Sequence, residues 1–149
     1  MRPYVVDSNL YIEATRNADA AAELRVFYAH SRARVHLHSV VAQELLAGAT
    51  NPGLKRKTHA EFIKPFEIVG RIITPTHRAW KRAGEIMAEL VRAGRLSPGG
   101  FGRGFVNDCV LAASARERGF VLVTRNRRDF ELIRTVERAE VVAPWPLAQ

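Results

Sequence analysis

The chain has 149 residues, 47% hydrophobic and 26% charged, a balance that suits one soluble domain with a sizeable core and excludes a disordered or fibrous chain. A lone cysteine, Cys109, excludes an internal disulfide and suits a reducing cytoplasm, and no apolar run approaches the roughly 20 residues that would cross a bilayer. Lys and Arg number 23 against 15 Asp and Glu, a formal charge of +8 carried mostly by Arg, so the expected partner is a polyanion and the alternative a solvated basic surface.

The amino terminus runs from Met1-Arg2-Pro3 straight into apolar sequence, without the length of a signal peptide. Tyr4-Val5-Val6-Asp7-Ser8-Asn9 then ends an apolar run on a carboxylate and small polar groups. That is the pattern of a buried strand presenting Asp7 at the carboxyl edge of a sheet, where open α/β sheets bind ligands. Residues 19–32 place Ala21, Leu24, Phe27 and Tyr28 at helical spacing. The alternation at 35–39 predicts a short strand, and 40–47 a helix with Gly48 as its C-cap. Asn51-Pro52-Gly53 reads as a turn. Residues 54–64 read as a helix with Lys55-Arg56-Lys57 exposed and Pro65 as its end.

Residues 66–73 are expected to be a strand. Thr76 should cap a long helix to about Arg92, with Trp80, Met87, Leu90 and Val91 on one face; Gly84 inside it points to close packing. Residues 94–104 are the one clear loop, rich in Gly and carrying Arg95 and Arg103. A buried helix at 105–118 follows, closed by Gly119, and then an apolar strand at 120–124 that is expected to be central. A polar turn at 125–128, a short helix at 129–135 and a strand at 140–143 come last. Strands alternating with helices imply a mainly parallel sheet of about five strands within a single α/β domain spanning 1–149.

Three acids sit in apolar surroundings: Asp7, Glu44 in the stretch 40–46, and Asp108 in the first turn of the 105–118 helix. Glu131, Glu137 and Glu140 have charged neighbours and read as solvated surface. An unpaired buried carboxylate is costly, and several at one sheet edge raise at least one pKa unless a cation lies between them. Oxygen ligands without Cys or clustered His favour Mg²⁺ or Mn²⁺. Each acid also has a structural role open to it: Asp7 as a helix cap, Glu44 paired with a buried Arg, Asp108 serving the helix dipole. Thr124 and Asn126 offer a hydroxyl and an amide at the same edge. Asp129 is either a further carboxylate or the N-cap of the last helix, with capping the first expectation.

In their order and spacing these residues resemble the PIN-domain family of metal-dependent ribonucleases, which includes the VapC toxins of bacterial toxin–antitoxin pairs. The resemblance rests on Val5-Val6-Asp7-Ser8-Asn9, on Gln43-Glu44-Leu45 with Gly48, and on Asn107-Asp108 followed by Ala112-Ala113-Ser114-Ala115. Leu122-Val123-Thr124-Arg125-Asn126 and Asp129-Phe130 complete it, so it spans nearly the whole chain. It implies a three-layer α/β/α fold and a site in which Asp7, Glu44 and Asp108 bind Mg²⁺ or Mn²⁺, with Asn126 or Asp129 assisting. Ser8 stands where Thr is commoner and keeps the hydroxyl.

Ser8, Asn9, Thr124, Arg95, Arg103 and Arg125 are the expected substrate contacts, with Arg127 and Arg128 also near the mouth. RNA is the implied substrate, structured or in single-stranded loops whose splayed bases can be read. The resemblance further implies a cognate antitoxin lying across the acidic pocket, and a homodimer. Two rival expectations stand beside it. One is a PIN-like scaffold that binds RNA or a partner protein without catalysis, against which the intact acidic trio argues. The other is a phosphoacceptor receiver domain, which would need an Asp and a Lys where this chain has Thr74-Pro75 and Ala143-Pro144.

Overall fold

The apolar runs of the sequence form the strands of one sheet: β1 (Tyr4–Val6), β2 (Val35–His38), β3 (Ile72–Ile73), β4 (Val121–Val123) and β5 (Val141–Val142). In this computed structural model, which describes residues 1–145, their order is β3-β2-β1-β4-β5 and every pairing is parallel. Tyr4 is in register with Val35 on one side and Val121 on the other. β1 is therefore the middle strand, and β4 lies inside the sheet beside it, as its unbroken apolar sequence predicts. The chain builds β1, β2 and β3 outward in one direction, then returns to place β4 and β5 on the opposite side of β1. That reversal leaves a crevice between the carboxyl ends of β1 and β4, the usual ligand position of such sheets.

The helices are α1 (Ser8–Arg16), α2 (Ala18–Ser31), α3 (Ser39–Gly48), α4 (Pro52–Thr58), α5 (Lys64–Ile68), α6 (His77–Arg92), α7 (Arg103–Arg118) and α8 (Arg127–Ile133). α7 packs on α6 and is buried without a break from Asn107 to Ala115, which explains its run of small and apolar residues. Its last turn is closed by Gly119, as expected. Tyr11, Phe120 and Phe130 are the largest side chains fully enclosed in the core. Among the described residues no helix is long and apolar enough to cross a membrane.

Several local expectations are corrected. The first stretch is not all strand: after Val6 the chain turns into α1, whose buried Leu10 and Tyr11 are hidden in the sequence by polar neighbours. Pro65 does not end a helix. A π-helical turn at His59–Ile63, in which the Lys64 N–H reaches His59 O, absorbs one extra residue. Pro65 then falls in the first turn of α5, where its missing N–H is not needed. Phe66 is accordingly buried on a helix, and only Ile72–Ile73 of the expected strand pairs with β2.

Gly48 is the last residue of α3, with Ala49 as its cap. The buried face of α6 is Ala79, Ala83, Ile86 and Leu90, while Trp80 is 49% exposed. Four positions at helical spacing outweigh one large aromatic. A Cβ on Gly84 would meet nothing within 4 Å, so no close packing explains that glycine. Glu137 is not solvated surface either, since its side chain is 12% exposed and lies 2.5 Å from Arg82 Nε.

Candidate active site

Asp7 follows the last residue of β1, and its backbone N–H still bonds Val123 O at 2.9 Å, so its side chain enters the crevice between β1 and β4. It is 3% exposed. Oδ1 accepts from the Ser8 N–H at 2.8 Å, which makes Asp7 the N-cap of α1, and Oδ2 accepts from Thr124 Oγ1 at 2.6 Å. Capping and a place in the site are therefore combined in one carboxylate. Asn9 Nδ2 donates to Asp7 Oδ2 at 3.3 Å and to Thr124 Oγ1 at 3.2 Å. The Asn126 N–H donates to the same hydroxyl at 3.0 Å.

α3 brings Glu44 to this point, where Ser8 Oγ donates to its Oε1 at 3.2 Å. α7 brings Asp108, and α8 brings Asp129. Asn126 Nδ2 donates to Asp108 Oδ2 at 2.8 Å and to Asp129 Oδ2 at 3.1 Å. Asp7, Ser8, Asn9, Glu44, Asp108, Asn126 and Asp129 thus line one small cleft of about 150 Å³, closed on one side by Gly104 and Phe105. Larger clefts of about 650 and 600 Å³ lie around Arg82 and Arg138. They gather ion-paired and basic side chains and no comparable set of buried acids, so chemistry favours the small cleft over the large ones.

Burial raises the pKa of Asp7, opposed by its hydrogen bonds from Thr124 and Ser8. Glu44 is raised by burial and by the charge of Asp7, against the opposing effects of Asn107, Ser8 and Arg103. Asp108 is pushed up to about 9, first by burial, then by the charges of Asp7, Asp129 and Glu44, and by a hydrogen bond with Asp129. The neighbouring Cys109 thiol rises to about 12 by burial and by Asp108 and Asp129. Without a cation the cleft therefore retains a proton at neutral pH.

The donor set consists of carboxylate, amide and hydroxyl oxygens, and Asn9 Oδ1 is buried without a hydrogen-bond partner among the described residues. Charge and donor type fit a hard divalent cation. The ligands are not prearranged, however. Ser8 bridges Asp7 and Glu44, Asn126 bridges Asp108 and Asp129, Thr124 holds Asp7, and among the described residues no three His, Cys, Asp or Glu side chains stand together as a finished ligand cluster.

The remaining predicted positions divide. Asn126, not Asp129, caps α8, with its Oδ1 3.4 Å from the Asp129 N–H, because the helix starts at Arg127. Asp129 is left to join the acids. α7 starts at Arg103, so Asp108 lies past the first turn and does not serve the helix dipole. Glu44 bonds Ser8 and not a buried Arg; Arg103, which acts on it electrostatically, is exposed. Arg125 is held by Glu13 at 2.7 Å and does not line the cleft, and Arg127 pairs with Glu131 at 3.6 Å. Arg95 and Arg128 line an adjoining hollow. Sequence reasoning missed Gly104 and Phe105 as walls of the cleft and Asn107 as a neighbour of Glu44. The Asn107-Asp108 pair was the available signal for the last of these.

The PIN domain family matches residues 4–136. The tRNA(fMet)-specific endonuclease VapC of Shigella flexneri is 29% identical over 133 residues, covering 89% of this chain and 93% of that protein. The DNA-bound VapBC complex of Salmonella typhimurium contains a chain that aligns with a TM-score of 0.69 at 26% identity, over 96% of this chain and 98% of that one. FitAcB of Neisseria gonorrhoeae shares the fold, with a TM-score of 0.68 at 22% identity over 97% and 99% of the two chains. The chain belongs to the PIN-domain family.

Proposed function

We propose that this protein is a divalent-metal-dependent endoribonuclease and the toxin of a toxin–antitoxin pair. The observation that carries the proposal is the cleft in which Asp7, Glu44 and Asp108 meet, with Asp108 holding a proton that a cation would displace. Asp7, Glu44 and Asp108 would hold Mg²⁺ or Mn²⁺, which supplies a nucleophile from water and neutralises charge on the scissile phosphate. Thr124 fixes the Asp7 carboxylate through its hydroxyl, and Asn126 fixes Asp108. Asp129 would assist from beside Asp108, to which the Asn126 amide bridges it. Arg103 at the head of α7 and Arg95 and Arg128 beside the cleft would draw in the phosphate backbone, which acids alone repel.

The similarity to an endonuclease named for tRNA(fMet) supports a structured RNA substrate, and the similarity to VapBC complexes supports an antitoxin partner, which in this reading covers the cleft. A homodimer belongs to the same reading and is checked by light scattering. The test of the activity is cleavage of structured RNA in Mg²⁺ by the wild type, Asp7→Asn and Asp108→Asn. The wild type should cut and the variants should fall to background. Equal cleavage by all three would exclude the metal–carboxylate mechanism.

A further inference from the structure

We propose that the hollow beside the acidic cleft is a nucleobase subsite, which takes one unstacked base of the RNA strand next to the phosphate undergoing cleavage. The inference rests on the ribonuclease reading above. The hollow has a volume of about 440 Å³ and its lining combines Leu96, Phe101 and Phe105 with Arg95, Arg128 and Asp129. Phe105 and Asp129 also line the acidic cleft, so the two spaces share a wall and lie side by side.

The lining chemistry selects the occupant. Aromatic faces stack on any base, and guanidinium groups beside them hold the flanking phosphates. Asp129 adds an acceptor for an exocyclic amine. A nucleotide carries the flat apolar body and the negative charge in one unit, which matches the phenylalanines and the arginines together. Among the described residues neither Arg95 nor Arg128 is in an ion pair, so both are available to a ligand.

The walls are preformed. At the end of α6 the Arg95 N–H bonds Leu90 O at 2.9 Å and the Gly94 N–H bonds Val91 O at 3.0 Å, with Gly94 at φ +70°. These are the paired bonds of a Schellman cap, and they fix where Arg95 leaves the helix. Ser97-Pro98-Gly99-Gly100 follows, with the Gly100 N–H on Ser97 O at 2.9 Å and Gly99 at φ +65°. This is the pattern of a type II turn with Pro second and Gly third. A Cβ on Gly100 would lie 2.9 Å from Ser97 Cβ, so the turn is tightly closed. The glycine-rich loop is thus two defined turns, with Leu96 and Phe101, both of which line the hollow, on either side of the second. A site that is ordered before binding loses less entropy on binding.

The test uses a short RNA around the mapped scissile bond, with each flanking nucleotide in turn made abasic. It is cut by the full-length wild type, by Phe101→Leu, which keeps an apolar side chain without a π-face, and by Phe101→Trp. At one flanking position base removal should raise KM about tenfold for the wild type, in line with the loss of one stacked base. The penalty should nearly vanish for Phe101→Leu and persist for Phe101→Trp. In a second arm that needs no substitution at Phe101, 2-aminopurine at that position should be quenched on binding to Asp108→Asn. An equal penalty in wild type and Phe101→Leu, or no penalty and no quenching at any flanking position, overturns the subsite. RNA cleavage without a base penalty removes the subsite alone; absence of both binding and cleavage removes the ribonuclease reading with it. Unchanged RNA kinetics in Phe101→Leu would likewise overturn the subsite.

Discussion

The side-chain amide of Asn126 donates to Asp108 Oδ2 at 2.8 Å, so the residue that caps α8 also holds a carboxylate of the cleft. The same nitrogen lies 3.1 Å from Asp129 Oδ2, and one neutral donor thereby bridges two acids that repel each other. Asn126→Ala removes the cap and the bridge together. We expect it to cost about 1 kcal/mol in a denaturant melt, the usual worth of a cap. RNA cleavage should fall by about 10–100-fold, the usual effect of losing a group that orients a metal ligand. Unchanged cleavage would show that Asn126 serves α8 only.

Asp108 binds a proton in the folded chain, up to about pH 9, that the unfolded chain releases near its ordinary value of 3.8. Between those limits the folded state carries the extra proton, so metal-free stability falls as pH rises. Asp108→Asn removes the penalty and should stabilise the metal-free protein by about 1 kcal/mol, or about 2–4 °C in Tm. Melting at pH 6 and pH 8.5 should show a steeper decline for the wild type than for the variant. Parallel declines would contradict the assignment.

His38 titrates in the opposite sense. Burial, with a contribution from the charge of Arg118, pushes it down to about 4 from 6.5. The Val40 N–H donates to its Nδ1 at 3.1 Å and Ser114 Oγ lies 2.9 Å from Nε2, so the ring is held neutral with its proton on Nε2. The unfolded chain takes up a proton below pH 6.5 that the folded chain refuses until about pH 4. His38 therefore removes up to about 3 kcal/mol of stability across that window as pH falls. His38→Gln should flatten the acid limb of the stability profile relative to the wild type, whatever its effect at pH 7. An unaltered acid limb would refute this.

Arg82 ties α6 to the segment after α8. Its guanidinium lies 2.9 Å from Glu89 Oε1, 2.5 Å from Glu137 Oε2 and 2.9 Å from Val136 O. Arg82→Met keeps most of the volume but strands the mostly buried Glu137, which should cost about 1–3 kcal/mol. The network shares no residue with the lining of the acidic cleft, so the folded variant should cut RNA at the wild-type rate. Loss of activity without loss of stability would place this region in the function.

The alternating elements and the parallel sheet were legible from strong apolar periodicity, and the meeting of Asp7, Glu44 and Asp108 from three acids set in apolar sequence. α1 was not, because polar residues surround Leu10 and Tyr11 and the helix follows β1 without a breaker. The strand expected at 66–73 failed for a different reason. Pro65 is a reliable helix breaker only where the preceding turn is regular, and the π-helical turn at His59–Ile63 leaves no mark in the apolar pattern of the sequence. Which of Asn126 and Asp129 caps α8 turned on a two-residue shift in helix start, and that shift reversed their roles. The arginines were the least legible. Their charge suggested a common mouth, yet Arg125 and Arg127 are engaged by Glu13 and Glu131 while Arg95 and Arg128 line the neighbouring hollow.

The cation site proposed for the cleft of Asp7, Glu44 and Asp108 requires the proton on Asp108 to give way to the metal. Calorimetric titration of the metal-free protein with Mn²⁺ at pH 7, repeated in two buffers of different ionisation enthalpy, tests it directly. Saturable binding with release of about one proton per site is predicted for the wild type, with binding lost in Asp7→Asn and Glu44→Gln. Absence of binding to the wild type, or binding that neither substitution weakens, would contradict the account.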